Sequence, residues 1–368
     1  MALTIGSEAV ASVEATLAAL KSHSQDFVLD MSPVESTSNA PEASEDTIDT
    51  AASSMLLVVG HRGCGKNKVL PSGVAPEARA SIRENTITSF NLAARNGAQF
   101  VEFDVQVTKD GVPIIFHDDV IISEGRTPTH IGELTLEEFR AMGPQSDPNK
   151  AGLALFRKAV DGSIALWTAD VEDYMCTLEE AFTQVEATAG FNIELKFDDD
   201  GSTTMEELHR VIDAVLEDVR KFSNGRMIYF SSFHPDAVLI LRTKMSKYPV
   251  FFLTNGGGQT YNDARRNSIE AAIQVCHQGN LQGIVSEVKP VLQNPAVVQL
   301  VKEQGLFFFT YGELNNIGEA VVKQQSWGVD GVIVDHVLEM VRVARQMDEP
   351  ASPSSAAMFR RRVSVALC

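Results

Sequence analysis

The sequence predicts an α/β fold, a (β/α)8 TIM barrel, and three observations carry that expectation. Eight short β-rich runs follow one another along the chain. Helical segments separate them, which is the order of parallel βαβ units. Several runs carry charge at their carboxyl ends, where barrel enzymes place their chemistry. Eight units over about 290 residues suit the size of such a barrel. A doubly wound open sheet is the structural alternative.

The first run is LLVVG (56–60), inside the stretch VVGHRGCGKN (58–67). Gly60, Gly65 and Lys66 match the nucleotide-binding pattern G-x-x-x-x-G-K. That loop ends in Ser or Thr, whose hydroxyl meets magnesium, and it runs straight into a helix. Here Asn67 stands in that place, and Pro71, Gly73 and Pro76 follow as loop chemistry. Setting the nucleotide loop aside leaves His61 and Arg62 at the carboxyl end of a buried strand. The second run is FVEFDVQV (100–107), followed by TKDGVPIIFHDD. Its Lys-Asp-Gly turn between two apolar runs predicts a hairpin, with PIIFHD returning antiparallel. Residues from about 118 to 175 break the rhythm, with Pro128, Gly132, Pro144, Pro148 and the helical LTLEEFRAM. They read as a small insertion over the barrel mouth, where such segments shape access. The helix TLEEAFTQVEA then leads into FNIELKF (191–197), MIYFSS (227–232), PVFFL (249–253), GIVSE (283–287), LFFFTY (306–311) and GVIVD (331–335).

Composition limits what the chain can do. It is 44% hydrophobic, with no apolar run of the ~18 residues a membrane span needs. The formal net charge of −18 argues against free nucleic acid as a partner. An anionic substrate would need local Lys or Arg to overcome that field. Cys64, Cys176, Cys276 and Cys368 form no C-x-x-C pair, which suits a reducing compartment without a disulfide framework. Residues 1–53 carry nine acids and one Lys, and read as a disordered tail with a short helix around Val10 to Leu20. The barrel domain is expected over 54–347. Residues 348–368 read as a flexible basic tail, in which RRRVS offers Ser364 as a kinase site less readily than as a solvated surface.

The polar residues point to phosphorus chemistry. Glu102 and Asp104 sit two apart, so strand alternation puts them on one face with Cα atoms roughly 7 Å apart. A central parallel strand has no solvated face, and two carboxylates in a barrel interior need a metal or a cationic partner. Glu194 and Lys196 repeat the spacing on another strand. Their bland reading is a Glu–Lys ion pair, and their sharper one is a third carboxylate beside a fixed cation. All-oxygen ligation favours Mg²⁺, Ca²⁺ or Mn²⁺ over zinc. His61 ends the first run and His117 ends the return hairpin. Two imidazoles can act as base and acid across one reacting centre. Arg62 offers a bidentate fork for phosphate, and Lys196 a second cation. Together these suit in-line displacement at phosphorus better than acyl transfer.

The ordered string His61-Arg62-Gly63, Glu84-Asn85-Thr86, Glu102-Phe103-Asp104, His117-Asp118, Glu194-Leu195-Lys196 and Ser231-Ser232-Phe233 resembles the glycerophosphodiester phosphodiesterase family. EFDVQVTKDGVPIIFHD, NIELKFD, FSSFHPDA, FFLTNGG and GVDGVIVD resemble its plant-type branch, and the likeness covers roughly residues 55 to 345. The resemblance implies a TIM barrel with a small insertion after the His-Asp motif. It implies metal-dependent hydrolysis of glycerophosphodiesters, such as glycerophosphocholine, to sn-glycerol 3-phosphate and an alcohol. Matching positions imply metal ligation by Glu102, Asp104 and Glu194, acid–base work by His61 and His117, and phosphate contacts from Arg62 and Lys196. Many members carry a Trp on the seventh strand, where this chain has FFFTYGELNN, with Phe309 near the expected place and Asn315 further on.

Two rivals use the same residues. One is a phospholipase D- or C-like enzyme acting on intact or lyso-phospholipids, which needs an exposed apolar rim at the mouth. The other is a non-catalytic barrel that senses a phosphodiester. Plant relatives of the family include plastid members, yet the acid-rich N-terminus lacks transit-peptide composition. Cytosol is the expected compartment and plastid the alternative.

Overall fold

The computed structural model describes residues 56–69, 81–147, 149–198 and 202–348. The segments expected as an N-terminal tail with a short helix and as a C-terminal tail with Ser364 lie outside the described residues. Eight parallel strands close into a barrel: β1 (Leu57–Gly60), β2 (Phe100–Val107), β8 (Gly190–Leu195), β9 (Ile228–Ser232), β10 (Val250–Thr254), β11 (Gly283–Glu287), β12 (Phe307–Tyr311) and β13 (Gly331–Val334). Each pairs with the next around the ring, and β1 meets both β13 and β2, so the ring is closed. The open doubly wound sheet is thereby excluded. β3 (Pro113–Ile115) returns antiparallel along β2, as the Lys-Asp-Gly turn predicts.

The strands are buried on both faces because helices pack outside them and large side chains fill the inside. The eighteen-residue helix Met205–Phe222 shows how a local sequence achieves this. Thr204 caps it by accepting from the Glu207 backbone, Glu206 and Glu207 sit at its positive end, and Arg220 and Lys221 at its negative end. Leu208, Val211, Ile212, Val215, Leu216 and Val219 form its buried face. Inside the barrel, Phe100, Tyr229, Phe251 and Phe309 make a floor of rings packed edge to face and tilted, with centroids 4.9–5.6 Å apart. A Cβ on Gly331 would lie 2.8 Å from the Phe309 ring, so the floor needs glycine there.

Between the hairpin and the helix Leu178–Gln184 lies a second small sheet. Its order is β5 (Thr129–His130), β4 (Val120–Ser123), β6 (Leu155–Lys158) and β7 (Ile164–Leu166), with antiparallel pairings. The sequence reading found here only the helix of LTLEEFRAM, observed as Leu136–Arg140. The sheet escaped it because its strands are short and partly exposed, with polar residues such as Arg157 and Lys158 breaking the apolar signal. The core under this sheet includes Phe116, Phe139, Leu155 and Trp167, so the insertion is rooted on the hairpin that carries His117. Among the described residues, no helix is long and apolar enough to cross a membrane.

Candidate active site

The carboxyl ends of β1, β2, β8 and β13 meet on one side of the mouth. After Gly60 the chain turns sharply, and this turn sets His61 and Arg62. Arg62 takes a left-handed backbone, φ 49°. Gly63 follows at φ 89°, where a Cβ would lie 2.4 Å from the Ser89 hydroxyl. Residues 61–69 form turns and loop, with no helix. Lys66 Nζ lies 3.0 Å from Glu313, so it serves an ion pair at the surface. The nucleotide-loop reading of VVGHRGCGKN therefore has no structural counterpart.

Glu102 and Asp104 on β2 and Glu194 on β8 come together as the strand spacing predicts. Asp104 is in register with Glu194, and one carboxylate oxygen from each of the three lies within 4.8 Å of the others. All three are buried. Burial, with Asp104 and Glu194 close by, pushes the Glu102 carboxyl well above its ordinary value. Burial also raises Asp104, but His117, Arg62 and Lys196 outweigh it and hold that carboxyl well below the usual range. Glu194 is raised by burial, against the pull of Lys196 at 3.3 Å. Burial opposes the charge on Lys196, but Glu194 and Asp104 hold it firmly protonated. Glu102 Oε1 is buried without a hydrogen-bond partner. An unpartnered carboxylate oxygen among three like charges fits a hard divalent cation.

Arg62 is held from three sides. Its backbone N–H donates to Glu102 Oε2 at 2.9 Å, and Nη1 donates to Glu84 Oε1 at 2.8 Å. Nε lies 3.5 Å from Asp104. Asn85, itself left-handed at φ 58°, donates from Nδ2 to Asp104 Oδ2 at 2.9 Å. Burial disfavours the charge on Glu84, yet Arg62 and Arg157 draw its pKa down to about 2.

Each histidine leans on a carboxylate. His61 Nδ1 is 2.7 Å from Asp335 Oδ1, and His117 Nδ1 is 2.7 Å from Asp118 Oδ1. A carboxylate accepts, so each Nδ1 donates, which leaves Nε2 as the ring nitrogen available for proton transfer. Asp335 also accepts from the Lys66 backbone at 2.9 Å and from Asn316 Nδ2 at 2.9 Å. Burial would raise its pKa, but His61 and these donors hold it well below the usual range. His117 is shifted down by burial and by Arg62, in spite of Asp104 and Asp118.

All seven residues singled out from the sequence therefore lie at one mouth. Asp335, Asp118, Glu84 and Arg157 were not given roles there. Asp118 follows His117 directly, which is a readable signal, whereas Asp335 closes GVIVD with nothing local to link it to His61. Arg157 left none, since it lies in a short strand of the insertion. Ser231 and Ser232 turn inward to the protein, donating to Asn192 Oδ1 and the Leu195 carbonyl at 2.8 Å each. Phe309 is a correction: it lies in the ring floor, and Tyr311, two residues on, reaches the mouth and meets Phe233 at 5.9 Å. Asn315 is buried and holds Thr310 and the Ile333 carbonyl. A cavity of about 460 Å³ runs from His117, Glu194 and Lys196 to Asn255, Tyr261, Arg266 and Tyr311 on the facing wall.

A mouth with a carboxylate trio, fixed cations and oriented imidazoles defines a barrel enzyme built for an anionic ester. Comparison with known proteins narrows the class. The model of the "Glycerophosphoryl diester phosphodiesterase family" matches residues 61–339. A chloroplastic glycerophosphodiester phosphodiesterase of Arabidopsis thaliana is 49% identical over 306 residues, covering 82% of this chain and 84% of that protein. A second glycerophosphodiester phosphodiesterase of the same plant is 50% identical over 303 residues, covering 81% and 80%. In fold, the chain is similar to a phosphodiesterase of Oleispira antarctica solved with the product sn-glycerol 3-phosphate. That likeness has a TM-score of 0.54 at 20% identity, over 78% of this chain and 96% of that one. The chain belongs to the glycerophosphoryl diester phosphodiesterase family, in its plant-type branch, and is an enzyme of that class.

Proposed function

We propose that this enzyme hydrolyses glycerophosphodiesters such as glycerophosphocholine to sn-glycerol 3-phosphate and the free alcohol. The observation that carries the reading is the buried trio Glu102, Asp104 and Glu194 at a mouth that also holds two carboxylate-braced histidines. The family and the names of the plant relatives support the substrate class. A cavity of about 460 Å³ is in the range that holds a small ligand.

Glu102, Asp104 and Glu194 would hold one divalent cation, Mg²⁺, Ca²⁺ or Mn²⁺. When bound, such an ion stabilises negative charge on phosphoryl oxygens. The chain's own groups do the rest. Arg62 and Lys196 hold the non-bridging oxygens and meet the charge that builds there. One imidazole Nε2 takes the proton of the attacking hydroxyl, either a water, which gives the monoester directly, or the glycerol 2-hydroxyl, whose cyclic phosphate a water then opens to sn-glycerol 3-phosphate. The other gives a proton to the departing alcohol oxygen. Asp335 and Asp118 fix the tautomers.

A second reading, cleavage of lysolipid, is favoured by one feature. Val160, Ile164 and Leu166 in the insertion are 72%, 55% and 53% exposed, an apolar surface the sequence did not suggest. A panel of glycerophosphocholine against lysophosphatidylcholine separates the two, and we expect the water-soluble diester to turn over faster. Replacement Glu194→Gln tests the cation site without turnover. Calorimetric titration with Mg²⁺ or Ca²⁺ should show at least about tenfold weaker binding, and equal binding by wild type and variant would remove the site. For location, the chloroplastic name of one relative supports the plastid alternative over cytosol. Import of the full chain fused to a fluorescent protein decides.

A further inference from the structure

One guanidinium from the insertion touches both halves of the site. Arg157 on β6 donates from Nε to Asp118 Oδ2 at 2.6 Å and from Nη2 to Asp118 Oδ1 at 3.1 Å. The same Nη2 donates to Glu84 Oε1 at 2.9 Å. Asp118 braces His117, and Glu84 Oε1 also receives Arg62 at 2.8 Å. A continuous chain of charge-assisted bonds thus runs from His117 through Asp118, Arg157 and Glu84 to Arg62. The Arg157 side chain is 11% exposed, and its guanidinium lies 3.8 Å from the centre of the Trp167 ring. Trp167 is itself buried, and its carbonyl accepts from Arg83 at 3.0 Å.

We propose that Arg157 is a positioning residue for this reaction, aligning His117 and Arg62 together, so that the insertion completes the active site. Chemistry favours arginine here. Its planar fork grips both oxygens of Asp118 and reaches a second carboxylate, and a single ammonium cannot do both. A carboxylate gripped on its outer side presents a fixed lone pair to Nδ1–H, which fixes tautomer and ring angle. Glu84, shared by two guanidiniums, fixes the reach of the phosphate arginine in the same way. The proposal rests on the phosphodiesterase reading above.

The test uses the full chain as wild type, Arg157→Ala and Arg157→Lys. Release of glycerol 3-phosphate from glycerophosphocholine gives kcat and KM, calorimetry gives Tm, and long-range ¹H–¹⁵N spectra give the His117 tautomer. We expect kcat of Arg157→Ala to fall about 10²-fold. Millimolar guanidinium should restore part of it without changing Tm. Arg157→Lys, which keeps charge and volume, should retain its Tm and still lose more than tenfold. The His117 signal should pass from one Nδ1-protonated tautomer to a mixture in both variants. Folded variants with kcat within twofold of wild type would overturn the proposal. A wild type that releases nothing would count against the substrate reading instead. The imidazole signal then decides alone, and an unchanged single tautomer would overturn the role of Arg157.

Discussion

The two histidines of the mouth are held in the same way by different parts of the molecule. His61 is braced by the barrel itself: Asp335 directly follows β13, the strand beside β1, and takes further bonds from Lys66 and Asn316. His117 is braced through the insertion: Asp118 depends on Arg157, which stands on β6 over Trp167. One brace shares the stability of a closed ring of strands. The other shares that of a small four-stranded sheet with its own core. The difference teaches that one brace is built into the fold and the other is delivered by an accessory element. Elements with smaller cores open more readily, so the His117 half is where the site can be loosened without unfolding the barrel.

The largest expected effect comes from breaking the barrel brace. Asp335→Asn keeps the size of the side chain and removes the charge that fixes the His61 tautomer. We expect kcat/KM to fall by about 10²- to 10⁴-fold. Added guanidinium should not restore it, in contrast with Arg157→Ala. Steady-state kinetics on both variants checks the contrast, and equal rescue of the two would erase it.

A smaller effect, on stability, reads the shared carboxylate that joins the halves. Glu84 titrates near 2 in the folded protein, against an ordinary 4.5. A depressed carboxyl stabilises the fold above its unfolded pKa and loses that contribution as pH falls toward the folded one. The window is therefore about 4.5 down to about 2, and the contribution about 3 kcal/mol. Glu84→Gln should melt below wild type at neutral pH. The gap should narrow as pH falls below about 4.5, as followed by calorimetry across that range. A gap independent of pH would mean that the carboxylate charge is not what holds the two arginines.

The same contrast explains how much the sequence disclosed. Strand order, the hairpin, the carboxylate trio and the seven mouth residues follow local rules: alternation of period two, turn chemistry, and charge at strand ends. Asp335 and His61 are 274 residues apart, and only closure of the ring makes them neighbours. Nothing in either local pattern announces that pair. Arg157 is harder still, because LFRK and IAL are short, half-exposed and carry no sustained alternation. Phe309 and Tyr311 share a face of β12, so period two alone cannot say which one lies in the floor and which at the mouth. The level of the floor, set by rings from β2, β9 and β10, settles it.

The most direct measurement is release of glycerol 3-phosphate from glycerophosphocholine by the full chain, with and without EDTA, for wild type and His61→Ala. The account predicts release by wild type that EDTA abolishes and added Mg²⁺ or Ca²⁺ restores, with a loss of about 10²- to 10⁴-fold in the variant. Release that persists in EDTA, or that survives in His61→Ala at the wild-type rate, would contradict it.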